Sequence, residues 1–197
     1  GNSKGNSTFI AREMMLGYKT AFEYLECDHC GCLQLISHPE DIGKYYPKDY
    51  YSYQAGSGSV PLNAPVQKIK RKVRGLMLDA YLNKKNVVGK FFDQKYSSYY
   101  SWMLKDTFST NSKILDIGCG SGELLKTMYL DGFNNLTGVD PFIDEDIILE
   151  SGIRIHKKNP EDLNERFDVI MMHHAFEHMN NPLIVLRKMH HLLSDDG

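Results

Sequence analysis

The run Lys113-Ile114-Leu115-Asp116-Ile117-Gly118-Cys119-Gly120-Ser121-Gly122 constrains this chain more than any other stretch. It reads as a buried strand that ends in a glycine-rich turn and opens a helix. Glycines let the backbone come close to a ligand, and the start of a helix offers free N–H groups. About twenty residues later a second strand, Leu136-Thr137-Gly138-Val139, ends in Asp140, and an acidic residue at that place can accept hydrogen bonds from ribose hydroxyls. Together the two segments predict a nucleoside-cofactor site.

The glycine spacing narrows the cofactor. A dinucleotide fingerprint needs G-x-G-x-x-G, and the third glycine would fall at position 123, which holds Glu123. The chain has G-x-G-x-G instead, at Gly118, Gly120 and Gly122. A carboxylate in the first helical turn also opposes a pyrophosphate, which disfavours a nicotinamide dehydrogenase. S-adenosylmethionine has no phosphate, and its ammonium suits acidic neighbours such as Asp116 and Glu123. The segment resembles motif I of the class I S-adenosylmethionine-dependent methyltransferases, D/E-x-G-x-G-x-G, and Asp140-Pro141 resembles their ribose-binding acidic position. The alternative is a tight strand-to-helix turn in another α/β protein.

The resemblance covers about residues 110–197. Phe167 to Met172 looks like that family's fourth strand, His173-His174-Ala175-Phe176-Glu177-His178-Met179 like the loop after it, and Pro182 through Leu193 like the next helix. The resemblance implies an α/β, Rossmann-like domain, incomplete at its C-terminal side, with S-adenosyl-L-methionine held by Asp116, Gly118, Cys119, Gly120, Gly122, Asp140, Pro141, Asn159, Glu161 and His173. Asn159 and Glu161 belong to the turn expected at the adenine, where Pro160 has no N–H to offer. The His-His-x-Phe-Glu-His run and the cysteine segment upstream resemble the sugar and polysaccharide-biosynthesis branch, which implies a sugar or nucleotide-sugar acceptor. Methyl transfer from a sulfonium requires alignment of the acceptor and removal of its proton. The family's Glu-His pair falls on Glu177 and His178, so His178 is expected as general base with Glu177 orienting it or acting itself. Local pairing or capping at a helix start is the competing role for these two, and His190-His191 is assigned to structure outright. A tyrosine that some sugar C-methyltransferases carry three residues earlier is Ala175 here, against C-methylation. The other readings are an O-methyltransferase of another small metabolite and a non-catalytic cofactor-binding adaptor.

Cys27-Asp28-His29-Cys30-Gly31 has the C-x-x-C-G shape of a zinc knuckle, in which two thiolates come to one side of a tight turn. The branch resemblance implies a structural zinc on Cys27 and Cys30, completed by a second knuckle upstream of Gly1. Cys32, His29 and His38 are further candidate ligands. Four cysteines, three of them clustered, fit a reduced cytoplasm with a metal better than a disulfide framework. A net charge of −2 gives no global pull toward nucleic acid or anionic membrane. No apolar run is long enough to span a bilayer, so neither nucleic acid nor membrane insertion is expected and the cytoplasm is the expected compartment. The oligomeric state is left open.

Three regions follow from the pattern: a zinc-ribbon-like region over 1–54, a linker and helical segment over 55–110, and the first part of the Rossmann-like domain over 111–197. Strands are expected over 22–27 and 33–36, a linker over 55–59, helices at 66–83 and 91–109, and parallel-sheet strands near 113–117, 135–140, 152–156 and 167–172. A tyrosine-rich tract over 45–53 could cover an acceptor or pack between regions. Lys68, Lys70, Arg71, Lys72 and Arg74 read first as a solvated helix face, with a diphosphate contact as the alternative. The natural chain is expected to continue past Gly197 into strand five.

Overall fold

The computed structural model describes residues 3–39, 41–47, 64–82, 96, 99–103 and 108–197. The expected linker at 55–59, the tyrosine tract beyond Pro47 and most of the expected helix at 91–109 lie outside the described residues. The chain divides into two compact units, residues 1–48 and 49–197.

The first unit is a three-stranded antiparallel sheet ordered β1 (Ser7–Arg12), β2 (Ala21–Glu26), β3 (Leu33–Leu35). The register of β1 with β2 sets Phe9 opposite Tyr24, and the two rings stack at 5.7 Å. Such cross-strand aromatic pairs stabilise a sheet that has little core of its own. Between β2 and β3 the knuckle forms a tight turn. Gly31 sits at φ +67°, its N–H donates to the Cys27 carbonyl at 2.8 Å, and the Cys27 N–H donates to the Cys32 carbonyl at 3.0 Å. No disulfide involves Cys27, Cys30 or Cys32.

The second unit carries a five-stranded sheet. Its strands are β4 (Lys113–Ile117), β5 (Asn135–Val139), β6 (Ile147–Ile148), β7 (Arg154–His156) and β8 (Val169–Met171), ordered β6-β7-β5-β4-β8. β7, β5, β4 and β8 are parallel, and the two-residue β6 runs antiparallel at the edge. The expected strands at 152–156 and 167–172 are present in shorter form.

Both faces of the sheet are apolar, as a parallel sheet covered by helices requires. Ile114, Leu136, Ile155, Val169 and Met171 face one core, with Leu78 and Leu82 of α1 (Pro65–Leu82) and Leu125 and Met128 of α2 (Glu123–Asp131). Leu115, Ile117, Val139 and Phe167 face the other, under Val185, Met189 and Leu192 of α3 (Pro182–Leu192). Those three recur at helical spacing. α3 starts with Asn181 accepting the Ile184 N–H through its side chain and with Pro182 in the first turn, both favourable at a helix start.

α1 packs on the C-terminal end of α2. Gly132 ends α2 at φ +120°, and a Cβ there would lie 2.4 Å from Gly75 Cα of α1. Arg71 of α1 completes the junction. Its Nε donates to the Tyr129 carbonyl at 2.8 Å, its Nη2 donates to the Phe133 carbonyl at 2.7 Å, and its guanidinium lies 4.1 Å from the centre of the Tyr129 ring. A cation there meets the negative end of the α2 dipole. Arg74 reaches Asp131 at 3.9 Å. The basic run is therefore not a uniformly solvated face: both arginines are used inside the unit.

The two glycines of this junction should respond differently to added bulk. Gly75→Ala meets Gly132 Cα at 3.5 Å, an ordinary contact, whereas Gly132→Ala is both strained and overlapping. Gly132→Ala should cost about 1–3 kcal/mol through backbone strain, while Gly75→Ala should be close to neutral or mildly stabilising. Chemical denaturation of the two variants measures the contrast.

Candidate functional site

The parallel strands deliver three loops to one end of the sheet. β4 leads into the glycine turn, β5 into Asp140, and β8 into residues 172–178. Gly118, Gly120 and Gly122 all have positive φ, at +73°, +53° and +78°, so only glycine follows this path without strain. The Gly118 N–H donates to the Val139 carbonyl and the Gly122 N–H to the Cys119 carbonyl. A Cβ on Gly118 would lie 2.5 Å from the Ala175 Cβ, and one on Gly122 would lie 2.4 Å from the Ile155 Cδ1. The loop after β8 thus closes directly onto the turn after β4.

Asp140 ties these pieces together. Its Oδ2 accepts the Gly120 N–H at 2.9 Å, its Oδ1 accepts the Phe142 N–H at 2.8 Å, and its own N–H donates to the His156 carbonyl at 3.0 Å. Burial raises its pKa, and the two N–H donations act against that rise. Each carboxylate oxygen keeps a second lone-pair direction for another donor. Asp116, beside it on β4, is 3% exposed. Burial first, and the neighbouring Asp140 second, push its pKa from 3.8 to about 7. The Cys119 thiol lies against Gly138, where an added Cβ would be 2.5 Å from Sγ, and burial with the two carboxylates drives its pKa up. This thiol stays protonated, an inert wall rather than a nucleophile.

Two buried carboxylates side by side and a buried Ser121 hydroxyl without a partner among the described residues are a costly arrangement in the protein alone. A ligand with positive charge and hydroxyl groups relieves that cost. These residues therefore fit S-adenosylmethionine, whose sulfonium and ammonium are cationic and whose ribose carries hydroxyls.

The remaining expected site residues lie on the segments that follow β5, β7 and β8. Pro141 follows Asp140 and leads to the exposed ring of Phe142. Asn159 and Glu161 are exposed around a single 3₁₀ turn, Pro160–Asp162, that follows β7. Glu177 and His178 lie in a second 3₁₀ turn, Phe176–His178. Glu177 Oε1 stands 3.9 Å from His174 Nδ1 and 4.0 Å from His178 Nε2, beyond hydrogen-bond reach of either ring. His174 has φ +52°, and strain of this kind is concentrated at functional loops.

The sequence reading missed Trp102, the chain's single tryptophan. It lies in the 3₁₀ turn Ser101–Met103, half exposed, with its ring edge-on to His173 at 5.3 Å. Its only signal in the sequence was rarity, because neither spacing nor motif links it to residue 173. A separate cleft of about 580 Å³, lined by residues including Asn135, Thr137, Arg154, His156, Asp162 and Phe167, contains none of the glycine-turn residues.

The described residues do not by themselves form the expected zinc site. Among the described residues no group of three or more His, Cys, Asp or Glu side chains could hold a metal ion. Cys27 and Cys30 provide half of a four-ligand shell, and none of Cys32, His29 or His38 completes it. No described helix is long and apolar enough to cross a membrane.

A family model described as a methyltransferase domain matches residues 89–197. The ubiquinone biosynthesis O-methyltransferase of Pseudomonas syringae pv. tomato is 30% identical over 108 residues, covering 49% of this chain and 46% of that protein. The protein of the same name from Haemophilus ducreyi is 35% identical over 100 residues, covering 43% and 42%. The chain thus spans about half the length of the curated relatives it matches. No solved structure matches it.

Asp116 should leave a signature in stability. The unfolded chain gives up this proton near its ordinary 3.8, and the folded protein holds it to about 7. Its contribution is therefore most favourable below about pH 4 and is lost as pH rises through about 7. Asp116→Asn should melt above the parent protein at about pH 8, with the gap closing toward pH 4. Thermal melts across that range measure it, and a lower melting point for the variant at pH 8 would refute the assignment.

Proposed function

The chain belongs to the methyltransferase-domain family, and on that premise we propose that it catalyses S-adenosylmethionine-dependent methyl transfer to a hydroxyl group of a small-molecule acceptor. The observation that carries this reading is the pair of buried carboxylates, Asp116 and Asp140, set around three left-handed glycines with the loop after β8 closed over them. S-adenosylmethionine, when bound, supplies a methyl group already activated on a sulfonium. Gly118 to Gly122, with Cys119 among them, give a close backbone surface. Asp116 balances positive charge, and Asp140 offers its remaining lone pairs to ribose hydroxyls. Pro141, Asn159 and Glu161 border the adenine side, and His173 lies on the side of the loop after β8.

The acceptor's proton goes to the protein. His178, half exposed at the end of its turn, is the proposed base and takes the hydroxyl proton on a ring nitrogen as the oxygen–carbon bond forms. Glu177, 4.0 Å from the His178 ring, is assigned the role of orienting His178 once it closes on the ring, or of acting as the base itself. Trp102 beside His173 provides an apolar surface against which a ring-shaped acceptor can stack. The relatives' names favour oxygen as the methylated atom. A sugar or nucleotide sugar as acceptor, and a place in polysaccharide or natural-product biosynthesis, rest on the resemblance of the 173–178 run and the knuckle. A structural zinc belongs to the same reading, with Cys27 and Cys30 joined by ligands from outside the described residues. Elemental analysis of protein purified without chelator tests the metal.

Titration calorimetry with S-adenosylhomocysteine tests the cofactor site. Asp140→Ala removes charge-assisted hydrogen bonds worth roughly 1.5–3 kcal/mol each, so affinity should fall at least about tenfold. Unchanged affinity rejects the site. For the chemistry, a panel of nucleotide sugars and ring-hydroxylated aromatics identifies an acceptor. His178→Ala should then lower turnover by about 10²–10⁴ and leave S-adenosylhomocysteine affinity nearly intact. A full-rate variant returns His178 to a structural role, and tight cofactor binding without turnover on any acceptor supports the adaptor reading.

A further inference from the structure

Helix α1 is apolar on two opposite sides. Gly75, Leu78, Tyr81 and Leu82 are buried. On the other side Val66, Ile69, Val73 and Leu76 are 60%, 67%, 52% and 73% exposed. Their spacing of three, four and three residues aligns them in one stripe along the helix. At 100° per residue, Lys70 and Lys72 fall on the two flanks of this stripe and Lys68 lies further round beyond Lys72; all three are exposed. Arg71 and Arg74 turn away to α2 and Asp131. The helix has one carboxylate, Asp79, and it is engaged by the Thr110 N–H and hydroxyl at 2.8 and 2.9 Å. Among the described residues no carboxylate pairs with Lys68, Lys70 or Lys72. Among the described residues of α1, the stripe is therefore flanked by positive charge alone.

We propose that this face of α1 adsorbs to an anionic lipid bilayer. The helix lies in the headgroup plane with Val66, Ile69, Val73 and Leu76 at the acyl boundary, and the lysine stems run along the apolar surface to bring their ammonium groups to lipid phosphates. A second copy of the chain fits less well. Pairing two such stripes sets lysine flanks against each other, and four side chains offer only a few hundred Å², against about 800 Å² per partner in a stable complex. A bilayer has no such minimum area, and its anionic surface is complementary in sign. The stripe is also a single-helix ridge, a shape that enters a soft interface without a matching groove.

Co-sedimentation of the 197-residue protein with vesicles tests the proposal. It should bind vesicles of phosphatidylcholine mixed with phosphatidylglycerol, bind phosphatidylcholine alone weakly, and lose binding as salt rises. Ile69→Glu with Leu76→Glu, and separately Lys68→Gln with Lys70→Gln and Lys72→Gln, should each lower the partition coefficient about tenfold or more. All five positions are exposed, so circular dichroism and melting point should match the parent. Absence of binding to the anionic vesicles at low salt overturns the proposal, as does binding that neither variant weakens. A concentration-dependent dimer in sedimentation analysis that Ile69→Glu disperses would assign the face to a second copy. Retention of an acidic amphipathic peptide, with no vesicle binding, would assign it to a protein partner.

Discussion

The carboxylate of Asp140 is the constraint on which the functional end of this sheet depends. With its oxygens it fixes the glycine turn and the start of the segment after β5, and with its amide it fixes the end of β7. The turn after β4, the segment after β5 and the end of β7 are thereby held in a common geometry. The cost is a buried negative charge next to a second one at Asp116. The same residue serves the fold and any ligand that approaches it, so loss of its side chain disorders the turn as well as removing a binding group.

A second constraint acts on the helical layer. The near contact of Gly75 and Gly132 brings α1 onto the end of α2, and Arg71 satisfies the carbonyls exposed there. Once the arginines and the glycine face are committed inward, the rest of the α1 sequence has nowhere to turn but outward. The pairing of an apolar ridge with exposed lysines is therefore a product of packing on the opposite side.

Much of the sheet was legible in the sequence because parallel strands buried on both faces advertise themselves as short apolar runs. Lys113–Ile117, Asn135–Val139 and the helix at Pro182 emerged nearly as expected, and three glycines with an acid at the end of the next strand located the turn. Other features had no such signal. β1 is exposed along nearly its whole length and shows no clear alternation, so it is defined by its pairing with β2. β6 has only two residues, fewer than any periodicity can show. The basic run on α1 could not be divided by composition, since only tertiary contacts distinguish Arg71 and Arg74 from the lysines. The contact of Trp102 with His173 joins residues 71 positions apart. The reading of Cys27 and Cys30 was limited differently: spacing reveals a pair of thiols, whereas a metal shell is a fact about four groups in space.

The sheet is asymmetric at its two borders. On one side β6 runs backward along β7 for two residues, leaving too little free backbone there to template another strand. On the other, Leu193 forms a parallel bridge with Phe167 ahead of β8, and the Ser194 hydroxyl donates to Asp168 while Asp168 also accepts the Lys113 N–H. One margin is thus sealed and the other is already primed at its first rung. Any lengthening of this sheet, whether by its own polypeptide or by a foreign edge, has a direction imposed on it. It can proceed only outward from β8, like a zip whose slider is already seated at one end.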